Sequence, residues 1–505
     1  MRFGLLPSPL FPSFIGTFDR FLWQFLIAPF GIPGCTALPR LVPDKEDWHV
    51  NPFGTQSLPL KCFDRATGDV DAALAKKKGF DTAERNITPY EGKALSIIKA
   101  ARAKGLIDFE DVRVCVRERL ADKAFSERVG AALAARFREI VVDEAQDCNP
   151  SDLEIVEWLR ASGIAVKVIC DPHQSIYKFR GGVTDELLKF AGRFAAEDRL
   201  PMSGNFRSTP AICAAIVALR PPDARANPDE PLGRYKEDRT PVHLLSYGGS
   251  GVSTGIGPKF SELVRSLGIP LDQSPVLASR WESAAKTIGQ PTLKETTNMT
   301  LLLAQAAMNY HLAFAVGNRR EALIDLHRNI LVMQGHISTA GGYHTYLADN
   351  GMEDWRWRPG IIAIANGLRF DPAETPTQWL TKARALLEPG VVKGLNINVR
   401  LKLNPDLAAA LEVAPADAPP PRTIHSAKGR EFPAVCAVMT SNKAGRIMDY
   451  LEGRTSNGSD EDARKIYVAA SRAERLLALA VPKSSAGRMQ ALLTGMGCKI
   501  ELHKI

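Results

Sequence analysis

Two adjacent carboxylates carry the most informative chemistry in this sequence. Asp143 and Glu144 directly follow a short apolar run, residues 140–142, within the segment IVVDEAQD. A strand that ends in neighbouring carboxylates suits phosphate chemistry, because one acid can hold Mg²⁺ while the other positions and deprotonates a water molecule. The plainer alternative is that these acids only cap the helix that follows.

A second polar segment, DPHQSIYKFRGG at residues 171–182, also follows an apolar run. Gln174 is a neutral donor and acceptor that can sense a terminal phosphate. Tyr177 and Phe179, mixed with cations such as Arg180, match what single-stranded nucleic acid prefers, because every base offers a face for stacking. The alternative is that these aromatic residues belong to the hydrophobic core.

Three further segments each place a fixed cation in a polar turn or at a helix start. They are NFRST at residues 205–209, TIHSAKGREF at 423–432 and YVAASRA at 467–473. Taken one at a time, cations such as Arg207 and Arg472 are typical of a solvated surface. The order of the segments along the chain, rather than any one of them, favours a common site.

Alternating strand and helix patterns predict the elements that position these residues. Strands are predicted at residues 140–142, 165–169, 434–439 and 476–481. Helical periodicity covers residues 152–160, and Thr209-Pro210 begins another helix in a cap-then-proline arrangement. This alternation predicts a parallel α/β sheet, and ligands of such sheets bind at the carboxyl ends of the strands.

Composition excludes several other classes of protein. The 505 residues are 45% hydrophobic and 24% charged, which is typical of a folded chain of about two to four domains and not of disordered or multispanning membrane proteins. The formal net charge of +8 favours an anionic partner. The eight cysteines are dispersed, prolines interrupt the apolar N-terminus, and no apolar run is long enough to cross a membrane. These features predict a cytoplasmic protein with no membrane partner.

Seven segments in a fixed order carry a resemblance to a known family. GTFDRF at residues 16–21 and IDFEDV at 107–112 precede the five segments described above. Together they closely resemble, in sequence and in order, the motifs of the UvrD/Rep/PcrA family of superfamily 1 DNA helicases. The resemblance implies an α/β fold with two RecA-like P-loop-NTPase-type domains, each built on a parallel sheet and each carrying a mainly helical insertion.

The resemblance also implies a division of the chain. The first RecA-like domain is expected at residues 1–23 and 105–200, and its helical insertion at 24–104. The second is expected at residues 201–285 and 416–505, and its helical insertion at 286–415.

For ATP and Mg²⁺, the resemblance implies a role for each matching residue. Asp143 is expected to coordinate Mg²⁺, Glu144 to activate the attacking water, and Gln174 to couple the γ-phosphate to the DNA site. Arg207 and Arg472 are expected to act as arginine fingers. The remaining nucleotide contacts implied are Phe206, Gly429 and Glu431, with Phe206 standing where the family usually has a tyrosine that stacks on adenine.

For DNA, the resemblance implies contacts to a single strand, or to a duplex with a 3′ tail, and movement from 3′ to 5′. The residues expected to touch the strand are Thr17, Phe18, Tyr177, Phe179, Arg180 and His425. DNA repair and phage defence are the processes considered, and a nuclease or another protein is a possible partner by analogy with compact relatives.

One element of the family pattern is missing from the sequence. The phosphate-binding loop, G-x-x-x-x-G-K-[ST], is expected before GTFDRF, yet only fifteen residues precede Gly16 and none supplies a Gly-Lys pair. The glycine-rich stretch at 248–259 has the wrong spacing, and Pro258 removes an amide donor. Two expectations therefore stand: a helicase whose first RecA-like domain is incomplete, or a helicase-like DNA-binding protein that needs a partner or a missing N-terminal segment for ATP hydrolysis.

Overall fold

The computed structural model describes residues 13–54, 56–176, 184–249, 251–290, 296–316, 319–339, 342–352, 354–371, 373–411, 418–454 and 460–505. Its strands, in chain order, are β1 Arg40–Leu41, β2 His49–Val50, β3 Leu58–Pro59, β4 Leu106–Ile107, β5 Glu139–Val142, β6 Ala165–Val168, β7 Gly204–Asn205, β8 Glu230–Pro231, β9 Val242–Tyr247, β10 Val276–Ala278, β11 Pro421–Thr423, β12 Phe432–Val438, β13 Ala473–Pro482 and β14 Ile500–Lys504.

The α-helices, in chain order, are α1 Phe18–Leu22, α2 Ala72–Lys77, α3 Thr88–Ala103, α4 Phe109–Leu120, α5 Lys123–Arg136, α6 Pro150–Ala161, α7 Thr184–Ala191, α8 Pro210–Ala218, α9 Ile256–Ser266, α10 Trp281–Thr287, α11 Met299–Val316, α12 Arg319–Gln334, α13 Tyr343–Asp349, α14 Asp354–Gly367, α15 Pro376–Leu387, α16 Ile397–Arg400, α17 Leu407–Leu411, α18 Ile424–Ala427, α19 Ser441–Leu451, α20 Asp460–Ala470 and α21 Lys483–Gly495. None of these helices has the length and apolar character needed to cross a bilayer.

A six-stranded sheet, in the order β11-β10-β12-β13-β9-β14, forms the larger core, and every neighbouring pair is parallel. Its central strands β12 and β13 are buried along most of their length. Alternate residues enter opposite faces: Val435 and Ala437 join one hydrophobic cluster, while Ala434 and Cys436 join another. Helices cover both faces, as a parallel sheet requires. The predicted α/β class is therefore confirmed, and the strands predicted at 434–439 and 476–481 are found there.

A second, two-stranded parallel sheet pairs β5 with β6. These are the strands predicted at residues 140–142 and 165–169. Helix α6 follows β5 and contains the helical pattern predicted at residues 152–160, and Asn149 and Asp152 form a capping box at its start. The first acidic segment thus lies at the carboxyl end of a strand, where the sequence pattern predicts it.

Two mainly helical regions lie between the parts of the chain that form these sheets. In residues 296–411, the described part contains helices and no strand; α11, α12, α14 and α15 pack around a buried cluster that includes Trp379. In residues 24–104, α2 and α3 pack with the two-residue strands β2 and β3. The exact division into four domain segments remains a prediction.

Candidate functional site

The acidic turn after β5 has an unusual backbone. Glu144 has φ of 56°, and it is the one non-glycine residue in the described part of the chain with positive φ. A left-handed conformation costs a residue with a Cβ about 1 kcal/mol or more, so it persists only where surrounding contacts enforce it. Here the carbonyl of Val142 accepts from the amide of Ile169 (2.8 Å), and the carbonyl of Ile169 accepts from the amide of Ala145 (3.1 Å).

The side chains of Asp143 and Glu144 are both exposed at this turn. An Asp143 carboxylate oxygen accepts from the Glu144 amide at 2.9 Å. Exposed carboxylate oxygen at a strand end is a ligand type that Mg²⁺ accepts, since this ion is bound by one or two carboxylates with water and substrate phosphates. The donor set at Asp143 therefore fits the predicted ion.

Gln146 joins the acidic turn to the segment after β6. Its side chain is buried; its amide nitrogen donates to Glu144 and its amide oxygen accepts from the backbone N–H of Asp171 at 3.0 Å. Asp171 in turn accepts from Gln174 Nε2 at 2.9 Å and from the Tyr467 hydroxyl at 2.8 Å. This network positions Glu144 and Gln174 relative to each other.

Arg472 reaches this network from the start of β13. Its guanidinium donates to Gln174 Oε1 at 2.8 Å, and only 3% of the residue is exposed. Burial, with Arg207 nearby, lowers the pKa of Arg472 to about 10, which still leaves it charged at neutral pH. Because its contact with Gln174 is to a neutral amide, the buried guanidinium can stabilise a negative charge that develops beside it.

Arg207 lies beside Arg472 and is held by the same turn. It donates to the Ser471 carbonyl at 2.9 Å and to Glu431 Oε1 at 2.5 Å. The predicted nucleotide contact Glu431 is therefore paired with an arginine in this structure. Gly429, two residues before it, has φ of 72°, which suits glycine in the tight turn.

Lys428 is a site residue that the sequence reasoning missed. Its ammonium contacts both Asp147 oxygens (2.5 and 2.6 Å), lies 3.1 Å from the Gln174 carbonyl and 3.9 Å from Glu144 Oε2. Lys428 lies in the segment TIHSAKGREF and Asp147 in the segment IVVDEAQD, so the sequence shows both charges. What the sequence did not show is that the two segments meet.

Phe206 is 71% exposed and belongs to an apolar surface with Leu232. Gly233 is needed below it: a Cβ there would lie 1.9 Å from the Phe206 carbonyl oxygen. Only glycine fits at position 233, because any larger residue would overlap the backbone of Phe206. The Phe206 ring itself is exposed to solvent, so it has the free face that base stacking needs.

The predicted DNA contacts are distributed over several elements. Thr17 is exposed and caps α1 by accepting from the amide of Arg20 (3.2 Å), while Phe18 is half-buried against the cluster that contains Val142. His425 Nε2 lies 3.3 Å from the Ile176 carbonyl, and burial lowers its pKa. Tyr177, Phe179 and Arg180 lie outside the described residues.

Comparison with known proteins finds two domain matches on this chain. Residues 65–195 match the UvrD/REP helicase N-terminal domain, and residues 397–484 match the UvrD-like helicase C-terminal domain. The first match includes Asp143, Glu144 and Gln174, and the second includes Glu431 and Arg472.

Individual relatives agree with these matches. DNA helicase II of Haemophilus influenzae is 23% identical over 461 residues, which are 75% of this chain and 59% of that protein. ATP-dependent DNA helicase UvrD2 of Mycobacterium tuberculosis is 24% identical over 436 residues, 83% of this chain and 57% of that protein. An ATP-dependent helicase/nuclease subunit of Carboxydothermus hydrogenoformans is 32% identical over 115 residues, 23% of this chain and 9% of that protein. The chain spans less than two thirds of the length of each.

Both domain matches thus fall, in the order expected, on the segments whose acids, glutamine and arginine meet at one network. On this combined ground, the chain is similar to UvrD/REP helicases: it matches their N-terminal domain and the UvrD-like C-terminal domain, and it resembles DNA helicase II and UvrD2.

Proposed function

We propose that the chain is a DNA translocase of the helicase type, which uses ATP hydrolysis to move from 3′ to 5′ along single-stranded DNA. The observation that carries the proposal is the contact between Arg472 and Gln174, because it joins a buried cation after α20 to the polar network behind Asp143 and Glu144. Phosphoryl transfer needs cations that neutralise the phosphate charge and carboxylates that hold Mg²⁺ and position water, and this site has both kinds of group.

The proposed roles are those that the family resemblance implies, and the chemistry of each side chain suits its role. Asp143 would hold Mg²⁺, which would offset the negative charge of the phosphates. Glu144 accepts a proton from the attacking water, and its strained turn orients the carboxylate. Arg207 and Arg472 neutralise the charge that develops on the transferred phosphate, and Phe206 stacks on the base.

Gln174 links hydrolysis to DNA through a very short stretch of backbone. Its carbonyl accepts from Lys428, and two residues later the carbonyl of Ile176 contacts His425. A shift of Gln174 on loss of a phosphate would therefore be passed to Ile176 and to His425, one of the proposed DNA contacts. This is how the nucleotide state would reach the bound strand.

The DNA substrate proposed is a single strand or a duplex with a 3′ tail, bound through Thr17, Phe18, Tyr177, Phe179, Arg180 and His425. The net charge of +8 supports a polyanionic partner and predicts that affinity falls as salt rises. Because the name of one relative describes part of a helicase/nuclease, a nuclease is the partner class to test first, in DNA repair or phage defence in the cytoplasm.

A second candidate is a DNA-binding protein that does not hydrolyse ATP by itself. The observation that favours it is in the sequence, which contains no G-x-x-x-x-G-K-[ST] segment to grip the β- and γ-phosphates. In that case the arginines and acids act only when a partner or a further N-terminal segment supplies that grip.

One set of measurements separates the two candidates. ATP turnover is measured with and without single-stranded DNA for the wild type, Glu144→Gln and the exposed control Glu154→Gln on α6, and DNA affinity is followed by fluorescence anisotropy. The translocase predicts DNA-stimulated turnover that falls by about 100-fold or more in Glu144→Gln only. DNA binding without turnover supports the second candidate. Turnover that is equal in all three proteins contradicts the proposed site.

A further inference from the structure

Two histidines and a glutamate meet at one edge of the six-stranded sheet, on its outermost pair of strands. His243 is on β9, and Glu501 and His503 are on the edge strand β14. Glu501 is in register with His243 across the pair, and residues two apart on β14 face the same side. The strand pairing therefore brings three side chains of metal-ligand type together.

The distances between three particular atoms are the main observation. His243 Nδ1 lies 3.0 Å from His503 Nε2 and 3.5 Å from Glu501 Oε2, and His503 Nε2 lies 3.9 Å from the same Glu501 oxygen. A triangle with these sides has a circumscribed radius of about 2.0 Å, so one point is about 2.0 Å from all three atoms, which is the length of zinc bonds to nitrogen and oxygen.

Hydrogen bonding alone accounts for only part of this cluster. The two imidazoles can share one proton at 3.0 Å, but the carboxylate oxygen is 3.5 Å or more from both ring nitrogens, which is too far for a good hydrogen bond. The three separations of 3.0, 3.5 and 3.9 Å lie around the value of about 3.3 Å between ligands of a tetrahedral zinc ion, and an inward turn of the exposed Glu501 side chain would shorten the two longer ones and place the ion out of the plane of the three atoms.

Burial and charge around the cluster agree with an ion of this kind. The side chains of His243 and His503 are 7% and 19% exposed, while that of Glu501 is 58% exposed and leaves a solvent side. A neutral imidazole has one ring nitrogen with a lone pair, which is the form that binds a metal ion. The neighbouring cation Lys259 is paired with Glu262 at 2.8 Å.

We propose that His243, Glu501 and His503 bind one divalent transition-metal ion, with Zn²⁺ as the preferred occupant. Imidazole nitrogen favours zinc and its neighbours over Mg²⁺ or Ca²⁺, so this site is chemically distinct from the one at Asp143. Three protein ligands leave a fourth position for water on the exposed side. The ion cross-links the edge strand β14 to β9 and so holds the C-terminal strand on the sheet.

The test uses the full chain, purified with a histidine-free tag and stripped with a chelator. Zn²⁺ binding is measured by calorimetry and Co²⁺ binding by its visible absorption, for the wild type, His503→Ala, Glu501→Gln and the exposed control His49→Ala. The proposal predicts one ion per chain with a tetrahedral Co²⁺ spectrum, and affinity that falls by more than about 10-fold in the two ligand variants but not in the control. Zn²⁺ should also raise the melting temperature of the wild type.

Glu501→Gln keeps the test decisive if His503→Ala does not fold, because Glu501 is exposed and its replacement keeps the side chain's shape. Circular dichroism in chelator establishes that each variant has the wild-type secondary structure. The proposal is overturned if the wild type gives no Co²⁺ spectrum, or if Zn²⁺ affinity is the same in Glu501→Gln as in the wild type.

Discussion

Replacing Lys428 by methionine tests the contact that joins the two motif-bearing halves of the site. Methionine keeps the unbranched chain but removes the ammonium that contacts both Asp147 oxygens and the Gln174 carbonyl. The side chain of Lys428 is only 7% exposed and that of Asp147 is 29% exposed, so the pair is partly shielded from water. Its loss should favour opening of this contact.

The magnitude follows from the distance and the burial. Opposite charges 2.6 Å apart attract by about 6 kcal/mol at an effective dielectric constant of about 20. The cost of removing both charges from water offsets most of that energy, and Asp147 regains part of its hydration in the variant. We expect a net loss of about 2 kcal/mol, which makes opening about 30-fold more frequent.

Hydrogen exchange followed by mass spectrometry can measure this opening locally. Peptides covering residues 144–150 and 424–430 are compared in the wild type, Lys428→Met, Asp147→Asn and the double variant. The double-mutant cycle should give a coupling energy of about 1 to 3 kcal/mol. The matched control is the surface pair of Lys167 and Glu139, also 2.6 Å apart but 66% and 42% exposed, for which we expect less than about 0.5 kcal/mol.

A coupling energy for Lys428 and Asp147 as small as that of the surface pair would refute the reasoning. It would mean that the contact does not hold the two halves together. Faster exchange spread over all peptides would instead indicate global destabilisation, and the cycle would then be repeated on the protected peptides alone.

Three other outcomes are expected. Gly233→Ala should lower thermal stability by about 1 to 3 kcal/mol, because its Cβ would overlap the Phe206 backbone, whereas Gly248→Ala, with open space around it, should not. Arg472→Lys should retain the charge but lose the contact with Gln174, so DNA-stimulated ATP turnover should fall while DNA affinity is kept; equal turnover would contradict the arginine's role. Burial lowers the pKa of His327 to about 4, so the unfolded chain binds more protons between pH 6.5 and pH 4. The free energy of unfolding should therefore fall by about 2 to 3 kcal/mol as the pH is lowered from 6.5 to 4, and His327→Gln should lessen this fall in thermal denaturation.

Local patterns were sufficient for the elements that carry the acidic and basic segments. Residues 140–142 and 476–481 are apolar runs of strand type, and they lie in β5 and β13. Thr209-Pro210 begins α8, with the threonine side chain accepting from the amide of Ile212. These features depend on side-chain period and on capping, which act over a few residues, so the sequence is enough to predict them.

The partners of the site residues depend on contacts that no local pattern contains. Lys428 meets Asp147 across 281 positions of sequence, and Arg472 meets Gln174 across 298. Glu431 has the side chain expected of a nucleotide contact, yet it lies against Arg207. The left-handed backbone of Glu144 was likewise not predicted, because contacts with the segment after β6 enforce it.

The sequence by itself thus determined the class of fold, the order of the segments and the kinds of side chain at the site. Only the tertiary structure decided which of those side chains meet, and it alone brought His243 to Glu501 and His503. The physical reason is that strand and helix formation are short-range, whereas the contacts of a charged side chain depend on how whole elements pack and on how far that packing excludes water.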